Sequence, residues 1–293
     1  RKSGYIEYYN RHNSNLPSNN IYSIISDGYG GLWVASLEYL LHFDIDKRNF
    51  TIVDVDGDGH KLQQYNRLLF CDSKKRIWAG GEMGISVFNQ VGTSLLPNTD
   101  FQIASVLKQA FVNCFYETSS GYLWIGTRNG LFALKESDKQ FLQYTTENGL
   151  PSNVIYGILE DAYGRLWIST NQGLSCLNSE SGKFRNFTIM DGLQGNQFNA
   201  GAYCRKDNGY MLFGGVNGIT SFRPETLIDN PYAPKPVINK LFVHNKEVLP
   251  DDETGILKES ITYVNRITLS SSQNSFALSF VCPTPHTGKL ASP

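Results

Sequence analysis

The amino-acid sequence predicts an all-β protein built from a repeated unit of 43–46 residues. Aromatic residues make up 13% of the 293-residue chain and charged residues only 18%, a mixture that favours strands because rings suit half-buried pleated surfaces. Four tryptophans, Trp33, Trp78, Trp124 and Trp167, follow one another at intervals of 45, 46 and 43 residues. The sequence lacks the 3.6-residue periodicity that helical repeats require.

The residues around each tryptophan repeat as well. A fifth unit carries Leu212 in the tryptophan position, 45 residues after Trp167. Glycines recur three residues before this position (Gly30, Gly121, Gly164, Gly209) and six residues after it (Gly84, Gly130, Gly173, Gly218). Glycine adopts positive φ at tight turns without steric cost. Each unit is therefore predicted to contain two successive hairpins.

Every unit divides into four strand-length segments. In the fourth unit these are residues 154–160, 165–169, 174–178 and 183–188. Four strands in a repeat of about 40–50 residues are typical of a β-propeller blade. We count about five such blades and assign residues 1–228 to them, with residues 1–15 as the outer strand of a preceding blade.

The repeat stops after Pro224, and a different region follows. Residues 229–236 contain three prolines, which indicates a stiff linker. Beyond it, residues 237–243, 267–269 and 276–280 are predicted strands of a second, smaller β domain, residues 237–293. This stretch is short for a seven-stranded sandwich.

Composition excludes several functional classes. With 26 Lys and Arg against 27 Asp and Glu, the net charge is −1, whereas a nucleic-acid surface normally leaves a domain strongly basic. The sequence has no apolar run of the ~18–20 residues that a membrane-spanning helix needs, and no signal peptide is visible at its start. Five cysteines without CxxC spacing predict neither a zinc site nor a disulfide framework.

The motifs of the repeat resemble the two-component regulator propeller repeat. The fourth unit opens with Gly149-Leu150-Pro151-Ser152-Asn153 and continues through Asp161 to Trp167, and Leu16-Pro17-Ser18-Asn19 restates this opening. Residues 192–199 and 213–218 are similar to the last blade of that family. The linker and Asn274-Ser275-Phe276 resemble the start of its immunoglobulin-like (Y-Y-Y) domain, so we expect a partial immunoglobulin-like β-sandwich at residues 237–293.

This resemblance implies a function and a cellular location. Such propellers form the periplasmic sensor region of hybrid two-component systems in the inner membrane, which commonly detect glycan breakdown products and induce polysaccharide-utilisation genes. The family implies seven-bladed propellers, homodimerisation through the sensor region, a transmembrane helix and a cytoplasmic histidine kinase. This chain is accordingly expected to be an excerpt without enzymatic activity, cofactor or nucleic-acid partner of its own, and with an oligosaccharide as its ligand.

Propeller topology nominates a binding face. The loop before the first strand of each blade and the hairpin after its second strand should open on the same face. Their variable residues are rich in amides, which suit sugar hydroxyls. The candidate ligand-binding residues are Arg128, Asn129, Asn171, Gln172, Glu38, Tyr39, Glu82, Asn153, Asn199 and Asn217, and Asn19 and Met83 occupy related positions. Asparagine in such loops also serves Asx-turns, so a purely structural role stays open for each.

Enzymatic and metal-binding alternatives have weaker support. Asp54, Asp56 and Asp58 reproduce the first half of a calcium loop, but Tyr65 replaces the glutamate at its twelfth position, so we expect a solvated turn and no metal. The five histidines share no repeat position, and no catalytic motif is evident. A propeller scaffold for protein–protein interaction or dimerisation is the first alternative function. A propeller polysaccharide lyase or glycosidase is the second.

Overall fold

The computed structural model describes residues 6–36, 39–53, 66–100, 102–135, 140–227 and 236–281. The chain divides into two compact units, of which the first spans residues 1–226 and the second residues 227–289. Within the described residues the structure is almost entirely β. The short helix α1 (Gln102–Val106) and a few single 3-10 turns are the exceptions.

The first unit consists of five antiparallel meander sheets, each of which forms one blade. Blade 1 contains β1 (Ile21–Ser26), β2 (Gly31–Ser36), β3 (Leu40–Asp44) and β4 (Asn49–Ile52). Blade 2 contains β5 (Asn66–Cys71), β6 (Arg76–Gly81), β7 (Gly84–Val91) and β8 (Ser94–Pro97). Blade 3 contains β9 (Val112–Glu117), β10 (Leu123–Thr127), β11 (Gly130–Lys135) and β12 (Gln140–Tyr144).

Blade 4 contains β13 (Ile155–Glu160), β14 (Leu166–Thr170), β15 (Gly173–Asn178) and β16 (Lys183–Phe187). Blade 5 contains β17 (Phe198–Arg205), β18 (Met211–Gly215) and β19 (Gly218–Phe222). The predicted strands of the fourth unit agree with blade 4 to within one residue at each end. The first strands of successive blades contact one another, as expected for strands around a propeller axis.

The tryptophans that define the repeat lie between neighbouring blades. Trp33 belongs to a buried cluster with Ile77 and Phe88 of blade 2, and Trp78 to a cluster with Phe115 of blade 3. Burying a large aromatic side chain contributes about 1.5–3 kcal/mol or more. The repeat period therefore reflects one aromatic side chain at each blade–blade contact.

A buried aspartate anchors the tryptophan in two of the blades. In blade 4, Asp161 Oδ2 accepts hydrogen bonds from Trp167 Nε1 (3.0 Å) and Arg165 Nε (2.7 Å). In blade 2, Asp72 Oδ2 does the same for Trp78 (2.8 Å) and Arg76 (2.6 Å). The aspartate thus holds the turn, an arginine and the tryptophan together.

Carboxylates at the ends of two first strands tie neighbouring blades together. Glu117 accepts hydrogen bonds from the backbone N–H and hydroxyl of Ser73 in blade 2, both at 2.6 Å. Glu160 accepts the same pair from Ser119 in blade 3, both at 3.0 Å. These contacts lie at the turns between first and second strands, and they fix the blades relative to one another.

Three strand predictions are wrong in the described residues. Residues 6–15 do not form the predicted outer strand: residues 6–10 have no regular secondary structure, and residues 11–13 form a turn in which the side chain and carbonyl groups of Asn10 accept the N–H groups of residues 12–14. Blade 5 has three strands instead of four, since residues 223–227 continue into a 3-10 turn. Residues 267–269 form no strand, because Ile267 and Leu269 pack against an apolar cluster and do not pair with a neighbouring strand.

The second unit is a small sheet with the strand order β21-β20-β22. It contains β20 (Val237–Val243), β21 (Lys246–Val248) and β22 (Phe276–Val281). His244 and Asn245 have φ values of 50° and 62°, as a two-residue hairpin with a matching twist requires. The immunoglobulin-like assignment of residues 237–293 and the predicted domain boundaries stay predictions.

Candidate ligand-binding face

The loops nominated from topology lie together on one face of the first unit. We call this the loop face, made of residues 81–84, 127–130, 170–173 and 215–218 between second and third strands, and 98–100, 102–111, 145–154 and 188–197 between blades. Gly130 N donates to Asn153 O at 2.8 Å, and Gly173 N donates to Asn196 O at 2.6 Å. Both glycines have positive φ, and a Cβ on Gly173 would lie 2.3 Å from Phe187 O. The close approach of these loops therefore requires glycine.

Arg128 is exposed at the tip of the blade 3 hairpin. Its guanidinium carbon lies 3.7 Å from the centroid of the Phe111 ring, and its backbone N donates to Phe111 O at 3.0 Å. Such cation–π contacts hold the guanidinium plane against the ring. Arg128 is thus a positioned hydrogen-bond donor on the loop face.

Glu82 has a protein partner. It forms an ion pair with Arg67 at 2.6 Å, and the Arg67 guanidinium also lies 5.2 Å from the centroid of Tyr22 in blade 1. Both members of the ion pair are partly exposed, so the pair contributes little to stability. The ion pair places charged groups beside the loop face, and Tyr22 places an aromatic ring next to them.

Asn171 occupies the hairpin position that Arg128 has in blade 3. Its Oδ1 atom is buried and has no hydrogen-bond partner among the described residues. An amide oxygen in this state costs free energy unless water or a ligand satisfies it. The neighbouring Gln172 is exposed, and its backbone N donates to Thr170 Oγ1 at 3.0 Å.

Asn153 has a structural role in its loop. Its Oδ1 accepts a hydrogen bond from Thr146 N at 2.8 Å. Asn196 does the same for Ile189 N at 2.9 Å, and Asn19 for Arg11 N at 2.9 Å. The recurring asparagine therefore closes the loop before each of these blades, and its oxygen is already used.

The remaining candidates differ in how accessible they are. Tyr39 is half-buried and packs against the apolar cluster of blade 1. Asn129, Asn199 and Asn217 are exposed, and Asn217 N donates to Gln194 Oε1 at 2.9 Å. Glu38 lies outside the described residues, as does the calcium-like segment 54–59.

Sequence reasoning missed a second set of residues near this face. The first strands of blades 1–4 each contain a register shift at their second residue, which places Tyr22, Arg67, Asn113 and Tyr156 outside the regular pairing. Bulges of this kind redirect side chains and often flank functional sites. All four follow the first residue of a repeat-aligned strand, and this position could have revealed them.

Buried ionisable groups lie mostly away from the loop face. Asp27 Oδ2 contacts His42 Nε2 at 2.7 Å; burial opposes its ionisation, but this contact and the N–H groups of Tyr29 and Gly31 bring its pKa below the usual value. Burial raises the pKa of the Cys114 thiol to about 12, so it stays protonated and unreactive. In the described residues, no cluster of three or more His, Cys, Asp or Glu side chains could hold a metal ion.

A scan against family models identifies repeats in this first unit. The model described as "Two component regulator propeller" matches residues 15–38, 107–129 and 149–172. Histidine kinase P4 of Formosa agariphila is 28% identical over 251 residues, which are 83% of this chain and 18% of the kinase. The chain thus spans about a fifth of the length of that relative.

Solved structures share the fold. The extracellular domain assigned to a hybrid two component system of B. thetaiotaomicron superposes with a TM-score of 0.66 at 23% identity, covering 89% of this chain and 35% of that one. PorZ, a surface component of the type-IX secretion system of Porphyromonas gingivalis, superposes with a TM-score of 0.59 at 14% identity, covering 95% and 46%. No helix in the described residues is long and apolar enough to cross a membrane. The first unit therefore has a β-propeller fold, and residues 15–38, 107–129 and 149–172 within it match the two component regulator propeller model.

Proposed function

We propose that this chain is a ligand-sensing segment of the extracytoplasmic region of a hybrid two-component system, and that its loop face binds a glycan-derived oligosaccharide. The kinase activity and the regulation of polysaccharide-utilisation genes would belong to other parts of the full-length protein. In this proposal the segment is periplasmic, acts within a homodimer and has no catalytic activity of its own.

The observation that carries the proposal is the set of exposed hydrogen-bonding side chains on adjacent hairpins of the loop face, Arg128 and Asn129 in blade 3 and Gln172 in blade 4. A sugar hydroxyl is both donor and acceptor, so it can bridge two of these side chains at the same time. The family match and the fold of the extracellular relatives support a sensor role.

Calorimetric titration of the 293-residue chain with a panel of glycan oligosaccharides tests this function. We expect binding by at least one oligosaccharide, and Gln172→Ala should weaken it by roughly five- to tenfold, the equivalent of about one hydrogen bond. The matched control is Asn208→Ala, which removes an exposed amide from the turn between β17 and β18 at the opposite end of the strands. Equal losses in both variants would contradict a site on the loop face.

Protein docking is the second candidate function. Tyr29 and Tyr163 are 70% and 66% exposed in the turns between first and second strands, and exposed tyrosines are common in protein interfaces. This role would be favoured if no oligosaccharide of the panel binds and if the chain self-associates in a concentration-dependent way that Tyr163→Ala abolishes. Turnover of any glycan by the purified chain would instead establish an enzyme.

A further inference from the structure

We propose that Arg128 and Phe111 form an anion-binding subsite, so that the oligosaccharide recognised by the loop face is acidic and carries a carboxylate or sulfate group. This inference rests on the proposed function and adds the chemical class of the ligand. It is carried by the geometry of one side chain and by the partners of the other arginines.

Two contacts with Phe111 fix the Arg128 side chain. The ring lies under the guanidinium at 3.7 Å, and the Phe111 carbonyl accepts the Arg128 backbone N–H at 3.0 Å. When a guanidinium stacks on a ring, its N–H groups lie at the edge of the guanidinium plane. There, two of them can bind two oxygens of one anion. Less side-chain entropy is then lost when an anion binds.

The charge of Arg128 is not balanced by a neighbouring carboxylate. Four other arginines of the first unit have carboxylate partners at 2.6–2.9 Å, since Arg48 pairs with Glu7, Arg67 with Glu82, Arg76 with Asp72 and Arg165 with Asp161. In the part of the chain that the structure describes, no carboxylate lies within 4.0 Å of the Arg128 guanidinium. A ligand anion would therefore gain the whole two-pronged contact without displacing a protein carboxylate.

The position of Arg128 connects this subsite with the amide site. Arg128 and Asn171 occupy the same hairpin position in blades 3 and 4, at the ends of β10 and β14. An oligosaccharide that lies across the two blades would meet the charged donor of Arg128 and then the exposed amide of Gln172, the residue after Asn171. Carboxylate and sulfate both match the arginine fork because each offers two adjacent oxygens.

Matched ligand pairs test the inference. The 293-residue chain is titrated calorimetrically at low ionic strength with a uronic-acid tetrasaccharide and its carboxyl-reduced form, and with a neutral tetrasaccharide and its sulfated form. A charge-assisted contact should make the charged member of at least one pair bind roughly ten- to a hundredfold more tightly. The pair that shows the preference identifies carboxylate or sulfate as the anion.

Three variants separate the charge from its positioning. Arg128→Met keeps the length of an exposed side chain and should abolish the preference, so that the charged and uncharged members of the pair bind equally. Arg128→Lys should retain only part of the preference, because an ammonium forms no fork. Phe111→Leu should also reduce the preference, because the guanidinium is no longer held against a ring.

The outcomes distinguish this inference from the proposed function. Equal affinity for the charged and uncharged members of both pairs would overturn the acidic subsite and leave oligosaccharide sensing intact. A preference that survives in Arg128→Met would place the anion elsewhere and also overturn it. If no member of either pair or of the wider panel binds, both proposals fail.

Discussion

Replacing Asp161 with asparagine should destabilise the propeller unit strongly, because this carboxylate is a buried hub. Its side chain is 1% exposed, and Oδ1 accepts hydrogen bonds from Tyr163 N (2.9 Å) and Arg165 N (3.0 Å). The second oxygen accepts from Arg165 Nε and Trp167 Nε1. In Asp161→Asn an NH2 group would face these two donors.

The size of the effect follows from these contacts. An unsatisfied Trp167 N–H costs about 1–3 kcal/mol, and loss of the charge-assisted bond to Arg165 costs about 1.5–3 kcal/mol. Because the Arg165 side chain is 28% exposed, water can solvate part of its charge. We therefore expect a loss of about 3 kcal/mol in the free energy of unfolding.

Urea unfolding followed by far-ultraviolet circular dichroism measures this loss. With an m-value of about 3 kcal/mol per M, the midpoint of the propeller transition should fall by about 1 M. The control is Asp207→Asn, an exposed aspartate in the corresponding turn of blade 5, which should change the stability by less than ~0.5 kcal/mol. A midpoint shift of less than ~0.3 M in Asp161→Asn would refute the hub interpretation.

Two further predictions concern acid stability and blade packing. Because the pKa of Asp27 is lowered in the folded state, its contribution to stability is present above the unfolded value of about 3.8 and is lost as the pH falls through the folded value. Asp27→Asn should therefore flatten the stability profile as the pH falls below about 3.8, and an unchanged acid midpoint would contradict this. A Cβ on Gly126 would lie 2.4 Å from Cys114 Sγ and 2.7 Å from Ile155 Cγ2, so Gly126→Ala should lower stability by about 1–3 kcal/mol in urea unfolding. The matched control is Ser169→Ala at the same repeat position of blade 4, which removes a hydroxyl that has no hydrogen-bond partner among the described residues and should be neutral or stabilising. Equal losses in the two variants would argue against the packing explanation.

The fold could be predicted because its signals are local and repeated. A turn glycine and a buried aromatic residue recur in most units, so the strands around Trp167 were placed to within one residue of the observed β13–β16. The wrong prediction of an outer strand at residues 6–15 has a different cause, because strand pairing is not a local property. An outer strand exists only where a neighbouring strand pairs with it, and the aromatic pattern of this segment does not report on pairing.

The candidate site could be predicted only in part. Topology alone places Arg128 and Asn171 on equivalent hairpins, but it does not reveal which side chains already have partners. The pairing of Glu82 with Arg67 links the β6–β7 hairpin of blade 2 to its first strand, and the contact of Arg128 with Phe111 joins two loops of blade 3. The hydrophobic pattern alone does not mark the bulge residues, and only their fixed position after the first residue of each repeat-aligned strand distinguishes them.

The central claim is that an oligosaccharide binds the loop face, and hydrogen–deuterium exchange of the chain with and without a saturating oligosaccharide tests it most directly. The account predicts slower exchange of backbone amides in residues 127–130 and 170–173 and in the loop 145–154. Protection confined to the opposite turns, such as those containing Tyr29 and Tyr163, or to the second unit would contradict it.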